Sequence, residues 1–139
     1  MRKTFYIAGS SENRQLISEL GDDLEASGWY WYWNWTQVKE KALNVERGSS
    51  PLVLQAIHLA RPGLVMHDLH AAANCDVFVL HLDPGSPSFG GAVELGTRLQ
   101  TGKPALVVLN DSPHHLFYEH PGIVVFKDWD DLLSNLDLP

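Results

Sequence analysis

Glu94 sits about one turn into a helix that opens on Gly90-Gly91, behind a loop of small and polar residues, Asp83-Pro-Gly-Ser-Pro-Ser88. The dipole and free N–H groups of a helix start favour an ionised carboxylate, and an ionised carboxylate in a cleft can attack carbon. On an arbitrary helix such a glutamate is a solvated partner of the dipole; here Gly90, Gly91, Ala92 and Gly96 leave room for a ligand to approach it. A second carboxylate, Asp68, lies in Val65-Met-His-Asp-Leu-His-Ala-Ala-Ala-Asn-Cys-Asp76, on a helix that ends where the strand ahead of the site loop begins. With Leu64, Val65, Leu69 and Ala72 packed inward, Asp68 can occupy the flank nearest the cleft. Asp76 starts the strand and so belongs to the end opposite a ligand.

Hydroxyls and backbone N–H groups around these carboxylates could hold an anion or a sugar hydroxyl. Ser86 and Ser88 flank the helix start, and Gly9, Ser10 and Ser11 follow the first strand, where they would meet the site loop across the sheet. Neither loop is a GxGxxG or P-loop motif, so a dinucleotide or triphosphate has no specific support. In Trp29-Tyr-Trp-Tyr-Trp-Asn-Trp35, Trp33 or Trp35 could reach the cleft and stack on a base, although such a run more often forms core or interface. His67 and His70 have a spacing that can bring two imidazoles to one metal, but no third ligand is fixed, and neither a metal nor an organic cofactor is expected. His114, His115 and His120 belong to a polar loop, exposed or set against a neighbouring subunit.

The elements that must position these groups alternate. Thr4 to Ile7 reads as a strand, Arg14 to Ser27 as a helix with Leu16, Ile17, Leu20 and Leu24 on one face, and Trp29 to Trp35 as a second strand. Thr36 to Ser50 reads as a helix and loop, and Pro51 to Arg61 as a helix broken or bent at Pro62-Gly63 before another helical run over Leu64 to Ala73. Val77 to Leu82 and Pro104 to Leu109 are near-continuous apolar runs, the pattern of strands covered on both faces. Gly91 to Thr101 is the helix after the site loop, Asn110 to Pro121 an excursion loop, Ile123 to Phe126 a last strand, and Asp128 to Leu136 a helix capped by Asp128. This alternation predicts a flavodoxin-like (Rossmann-like) α/β fold, a five-stranded parallel sheet with helices on both faces, and ligands bind such sheets at the carboxyl ends of the strands.

Bulk composition narrows the function classes. The 139 residues, 45% hydrophobic, suffice for one domain over residues 1–139 with a sizeable core. Ten basic against seventeen acidic side chains, a formal charge of -7, argue against long nucleic acids but leave a single small phosphate possible. The N-terminal apolar run is too short for a signal peptide or a membrane span, so a cytoplasmic location is expected. One cysteine, Cys75, excludes an internal disulfide and reads as a buried small hydrophobe.

Phe5-Tyr-Ile-Ala-Gly-Ser, then Asp68-Leu followed by Asn74-Cys-Asp-Val-Phe-Val, and above all Ser88-Phe-Gly-Gly-Ala-Val-Glu-Leu-Gly followed by Thr101-Gly-Lys-Pro, carry a likeness over most of the chain. The sequence resembles the nucleoside 2-deoxyribosyltransferase family, which includes the 2'-deoxynucleoside 5'-phosphate N-hydrolases. The resemblance implies that Glu94 attacks C1' of the sugar to form a covalent glycosyl-enzyme, that Asp68 assists the departing base or orients the nucleophile, and that the Tyr6 hydroxyl restrains the nucleophile. It further implies a nucleoside or nucleotide as small-molecule partner, a homodimer or higher homo-oligomer, and Ser88, Gly90 and Gly91 around the 5' end. Two neighbouring carboxyl groups do serve retaining glycosyl transfer, and general acid help is worth roughly 10²- to 10⁴-fold.

Where the transferases resembled here carry an aspartate for the 5'-hydroxyl, this chain has Ser88, which can donate to a 5'-phosphate that a carboxylate would repel. The balance leans toward a monophosphate with water as acceptor. Other positions depart from the hydrolases: their glycine- and arginine-rich turn is Ser10-Ser-Glu-Asn-Arg14 here, where Glu12 opposes Arg14. The transferases' C-terminal segment, which enters the neighbouring site, has no obvious counterpart in Asp137-Leu-Pro139. The rivals are a nucleotide-binding or sensing module of the same fold without turnover, and a flavin- or NAD-binding protein.

Overall fold

The computed structural model describes residues 3–46 and 50–136. Five strands, β1 (Thr4–Ala8), β2 (Tyr30–Trp31), β3 (Val77–His81), β4 (Ala105–Val108) and β5 (Ile123–Phe126), form one parallel sheet in the order β2-β1-β3-β4-β5. The helices are α1 (Arg14–Ala26), α2 (Trp35–Glu46), α3 (Pro51–Asn74), α4 (Phe89–Gln100) and α5 (Trp129–Asn135). This is the flavodoxin-like strand order, whose switch point lies between β1 and β3.

The two-residue period of the strands sorts the core into two layers. Tyr6, Ala8, Phe78, Leu80, Ala105 and Val107 face α3 and α4, where Ala71, Ala72, Cys75 and Leu95 meet them. Phe5, Ile7, Val79 and Val108 face the other way, onto Ile17 and Leu24 of α1 and Trp129 and Leu132 of α5. That parity puts Tyr6 on the layer shared with α3 and α4, the two helices that carry Asp68 and Glu94.

Register is fixed at the amino ends of the strands. The Thr4 N–H donates to Asp76 Oδ2 at 2.8 Å, and the Asp76 N–H returns a bond to Thr4 Oγ1 at 3.1 Å, which locks β1 to β3 and leaves Asp76 away from the ligand end, as expected. Nearby, Arg98 of α4 is 1% exposed and donates to the carbonyls of Cys75 (2.6 Å), Pro104 (2.9 Å) and Asp76 (3.1 Å). A cation at carbonyls just past the end of α3 is favoured by the helix dipole, and these bonds replace the hydration Arg98 gives up. Cys75 is buried as expected, its thiol pushed up to about 11 by desolvation.

Two expected elements differ. The run Trp29 to Trp35 is not one strand: only Tyr30–Trp31 pairs with β1, the Tyr32 N–H makes a last bond to the Phe5 carbonyl at 2.8 Å, and Trp35 already begins α2. Asn34 ends the extended stretch by accepting from the Thr36 N–H at 3.2 Å, an N-cap geometry that overrides the aromatic strand propensity. Of the break or bend expected at Pro62-Gly63, the break is absent, for α3 runs from Pro51 to Asn74 with Pro62 inside it. Residues 58–63 are exposed, so water can satisfy the carbonyl that Pro62 leaves without a donor. The loop expected after α2 at residues 47–49, and residues 137–139, lie outside the described residues. Among the described residues no helix is long and apolar enough to cross a membrane.

Candidate active site

Three side chains from three elements converge on the α3/α4 face. Tyr6 is fully buried in β1, and Asp68 of α3 and Glu94 of α4 are half-buried. Neither Tyr6 Oη nor Glu94 Oε2 touches solvent or completes a hydrogen bond of normal geometry. The phenol still lies near enough to draw the Glu94 pKa down. Burial outweighs it and, with the Asp68 charge adding repulsion, lifts Glu94 to about 7. The same desolvation, then the charges of Glu94 and Asp68, push the Tyr6 phenol far up, so it stays protonated and can only donate.

Asp68 is raised to about 6 by burial, against the opposing pull of the Trp33 indole and of His67. Trp33 Nε1 donates to Asp68 Oδ1 at 2.9 Å, and the His67 ring stacks on the indole with centroids 4.5 Å apart and planes 17° from parallel. One residue earlier, the Tyr32 hydroxyl meets His70 Nε2 at 2.8 Å. The segment after β2 is therefore clasped to α3 by two side-chain pairs. His67 and His70 face aromatic rings, and among the described residues no group of three potential metal ligands gathers.

The small residues have separable jobs. Ser88 caps α4, its Oγ accepting from the Gly91 N–H at 2.9 Å, which leaves its own hydroxyl proton free to donate. A Cβ on Gly91 would stand 2.7 Å from both Leu80 Cδ1 and Ser88 Oγ, so Gly91 lets α4 sit close on β3; at Gly90 it would come within 3.9 Å of Glu94 Oε1. Gly9 is likewise a packing glycine, where a Cβ would meet Ile17 Cδ1 at 2.6 Å. Ser10 caps a short 3₁₀ turn by accepting from the Glu12 N–H at 3.2 Å. Ser86 does reach the loop after β1, donating to Glu12 Oε2 at 2.9 Å. Arg14 turns to Glu40 at 2.6 Å and to the Ser11 carbonyl.

Trp35 Nε1 donates to the Ile7 carbonyl at 2.7 Å, near the carboxyl end of β1, while Trp33 rather than Trp35 contacts a candidate catalytic group. Histidines of the excursion loop act locally: His115 Nδ1 accepts from the Phe117 N–H and His120 Nδ1 from the Gly122 N–H. The Trp33–Asp68 contact had no linear signal, since its partners are 35 residues apart.

No protein-family model and no curated sequence matches the chain. Among solved structures it is similar to the CMP N-glycosidase BcmB of Clostridium botulinum, with a TM-score of 0.54 and 20% identity over 97% of this chain and 98% of that one. The two share a fold.

Proposed function

We propose that this chain is an enzyme resembling the nucleoside 2-deoxyribosyltransferases, one that cleaves or transfers the N-glycosidic bond of a 2'-deoxynucleoside or its 5'-monophosphate. The observation that carries this reading is the meeting of two carboxyl groups and a protonated phenol in one desolvated region. Glu94 ionises and attacks C1'; the C1'–N bond breaks as positive charge grows on the sugar. Asp68 gives its proton to the departing base, and Tyr6 steadies the carboxylate of Glu94. Water, or a second base, then attacks C1', gives its proton to the Asp68 carboxylate and frees Glu94. The fold likeness to an enzyme named for splitting CMP agrees with N-glycosidic chemistry on this scaffold.

Hydrolysis of a monophosphate is the finer reading. Its support is the unused hydroxyl proton of Ser88 at the start of α4, beside the N–H group of Gly90.

A panel of nucleosides and 5'-monophosphates, ribo and deoxy, incubated with the protein and followed by chromatography for free base tests this reading. Base appears with the parent and not with Glu94→Ala, which retains binding. Binding without base release from any member would instead indicate a sensing module.

A further inference from the structure

Asp68 has two oxygens in different settings. Oδ1 receives the Trp33 indole N–H at 2.9 Å, and the indole is held by the His67 ring stacked on it and by the neighbouring Tyr32–His70 bond. A carboxyl oxygen that already accepts an N–H is the poorer place for a proton, because the proton would compete with the donor for that oxygen.

We propose that Trp33 is the positioning residue of Asp68, its indole N–H holding Oδ1 so that Oδ2 is the oxygen that carries the proton and hands it to the leaving base. The last clause rests on the N-glycosidase reading; the pinning of the carboxyl does not. In the step itself the Oδ2–H bond breaks, the proton passes to the base nitrogen as the C1'–N bond opens, and Asp68 is left as a carboxylate. Its new charge is met at Oδ1 by the bond already in place, a donor that needs no rearrangement as charge develops.

Because Trp33 stabilises the ionised form, its removal makes Asp68 harder to ionise. The other titratable groups acting around Asp68 are Glu94 from α4, Tyr6 from β1 and His67 from its own helix. An assay of Trp33 must therefore separate Asp68 from His67.

Nuclear magnetic resonance of the intact chain supplies that assay. In the parent, the Trp33 indole N–H resonance moves with the ionisation of Asp68; Asp68→Asn abolishes the movement, and His67→Gln leaves it. In Trp33→Phe, which keeps a ring against His67, the ¹³C carboxyl signal of Asp68 titrates about one pH unit higher, the size expected for a lost hydrogen bond to a charged group. The maximum of base release moves up with it, and kcat falls roughly tenfold while KM stays within about twofold. An indole resonance blind to Asp68, or an unshifted Asp68 titration in folded Trp33→Phe, overturns the proposal. Should the parent release no base, the N-glycosidase reading falls, while the resonance results still judge Trp33 because they need no turnover.

Discussion

Tyr6 Oη and Glu94 Oε2 are brought to the same solvent-free space from different elements, a strand beneath and a helix above. The phenol has no proton to lose at any working pH, so its effect on Glu94 is to favour the ionised carboxylate. Tyr6→Phe keeps the packing on Phe78 but removes that donor. The maximum of the pH profile of kcat should move to higher pH and kcat should fall roughly 10- to 100-fold, measured by base release across pH. An unmoved maximum would separate Tyr6 from the nucleophile.

The two carboxyls define the pH profile of the parent. Glu94, at about 7, holds a proton more readily than Asp68, at about 6, so the reacting form, ionised Glu94 with protonated Asp68, is the minor arrangement of the one proton the pair shares. The groups act on each other, so the limbs belong to the pair. The expected profile is a narrow bell with its maximum between about 6 and 7. Asp68→Asn, neutral at every pH, should be much slower and lack the basic limb, leaving one acid limb that reports Glu94 with a pKa below its parent value because the charge that raised it is gone.

Function and stability oppose each other at Glu94. Its folded pKa lies above the ordinary value of 4.5, so its contribution is fully present below about 4.5 and lost as pH rises through about 7. Glu94→Gln removes a buried charge at high pH. At pH 8 the variant should melt about 3–6 °C higher than the parent, with the gap closing toward pH 5, in thermal melts followed by circular dichroism.

Two glycines of α4 make opposite predictions. Gly91→Ala forces a Cβ to 2.7 Å from Leu80 Cδ1 and should cost about 1–3 kcal/mol in urea unfolding, displacing Ser88 as well. At Gly96 a Cβ meets nothing within 4 Å, and alanine should stabilise the helix by about 0.5–1 kcal/mol.

How much of this was legible depends on the range of the forces involved. Val77 to His81 and Ala105 to Val108 announce themselves because a strand covered on both faces needs an unbroken apolar run, and Ser88 with Gly91 announces a helix start through local capping chemistry. Asp68 and Glu94 were legible as candidates from their own settings and Tyr6 only through the family resemblance, and strand parity explains why Tyr6 faces the helices of the other two. Trp29 to Trp35 misled because aromatic alternation reports propensity, whereas pairing ends with β1 and Asn34 starts a helix. Pro62 misled because water can meet the exposed carbonyl that loses its donor, which lowers the cost of carrying the helix past the ring. The grip of Trp33 on Asp68 depends on how the segment after β2 docks on α3, which no local pattern encodes.

The most direct measurement of the central claim is the mass of the enzyme after reaction with a 2'-fluorinated arabinosyl nucleoside or its monophosphate, whose glycosyl-enzyme breaks down slowly. The account predicts a mass gain of one fluorinated sugar, or sugar phosphate, that fragmentation places on Glu94 and that Glu94→Ala abolishes. Base release with no adduct under these conditions, or an adduct on any other residue, would contradict it.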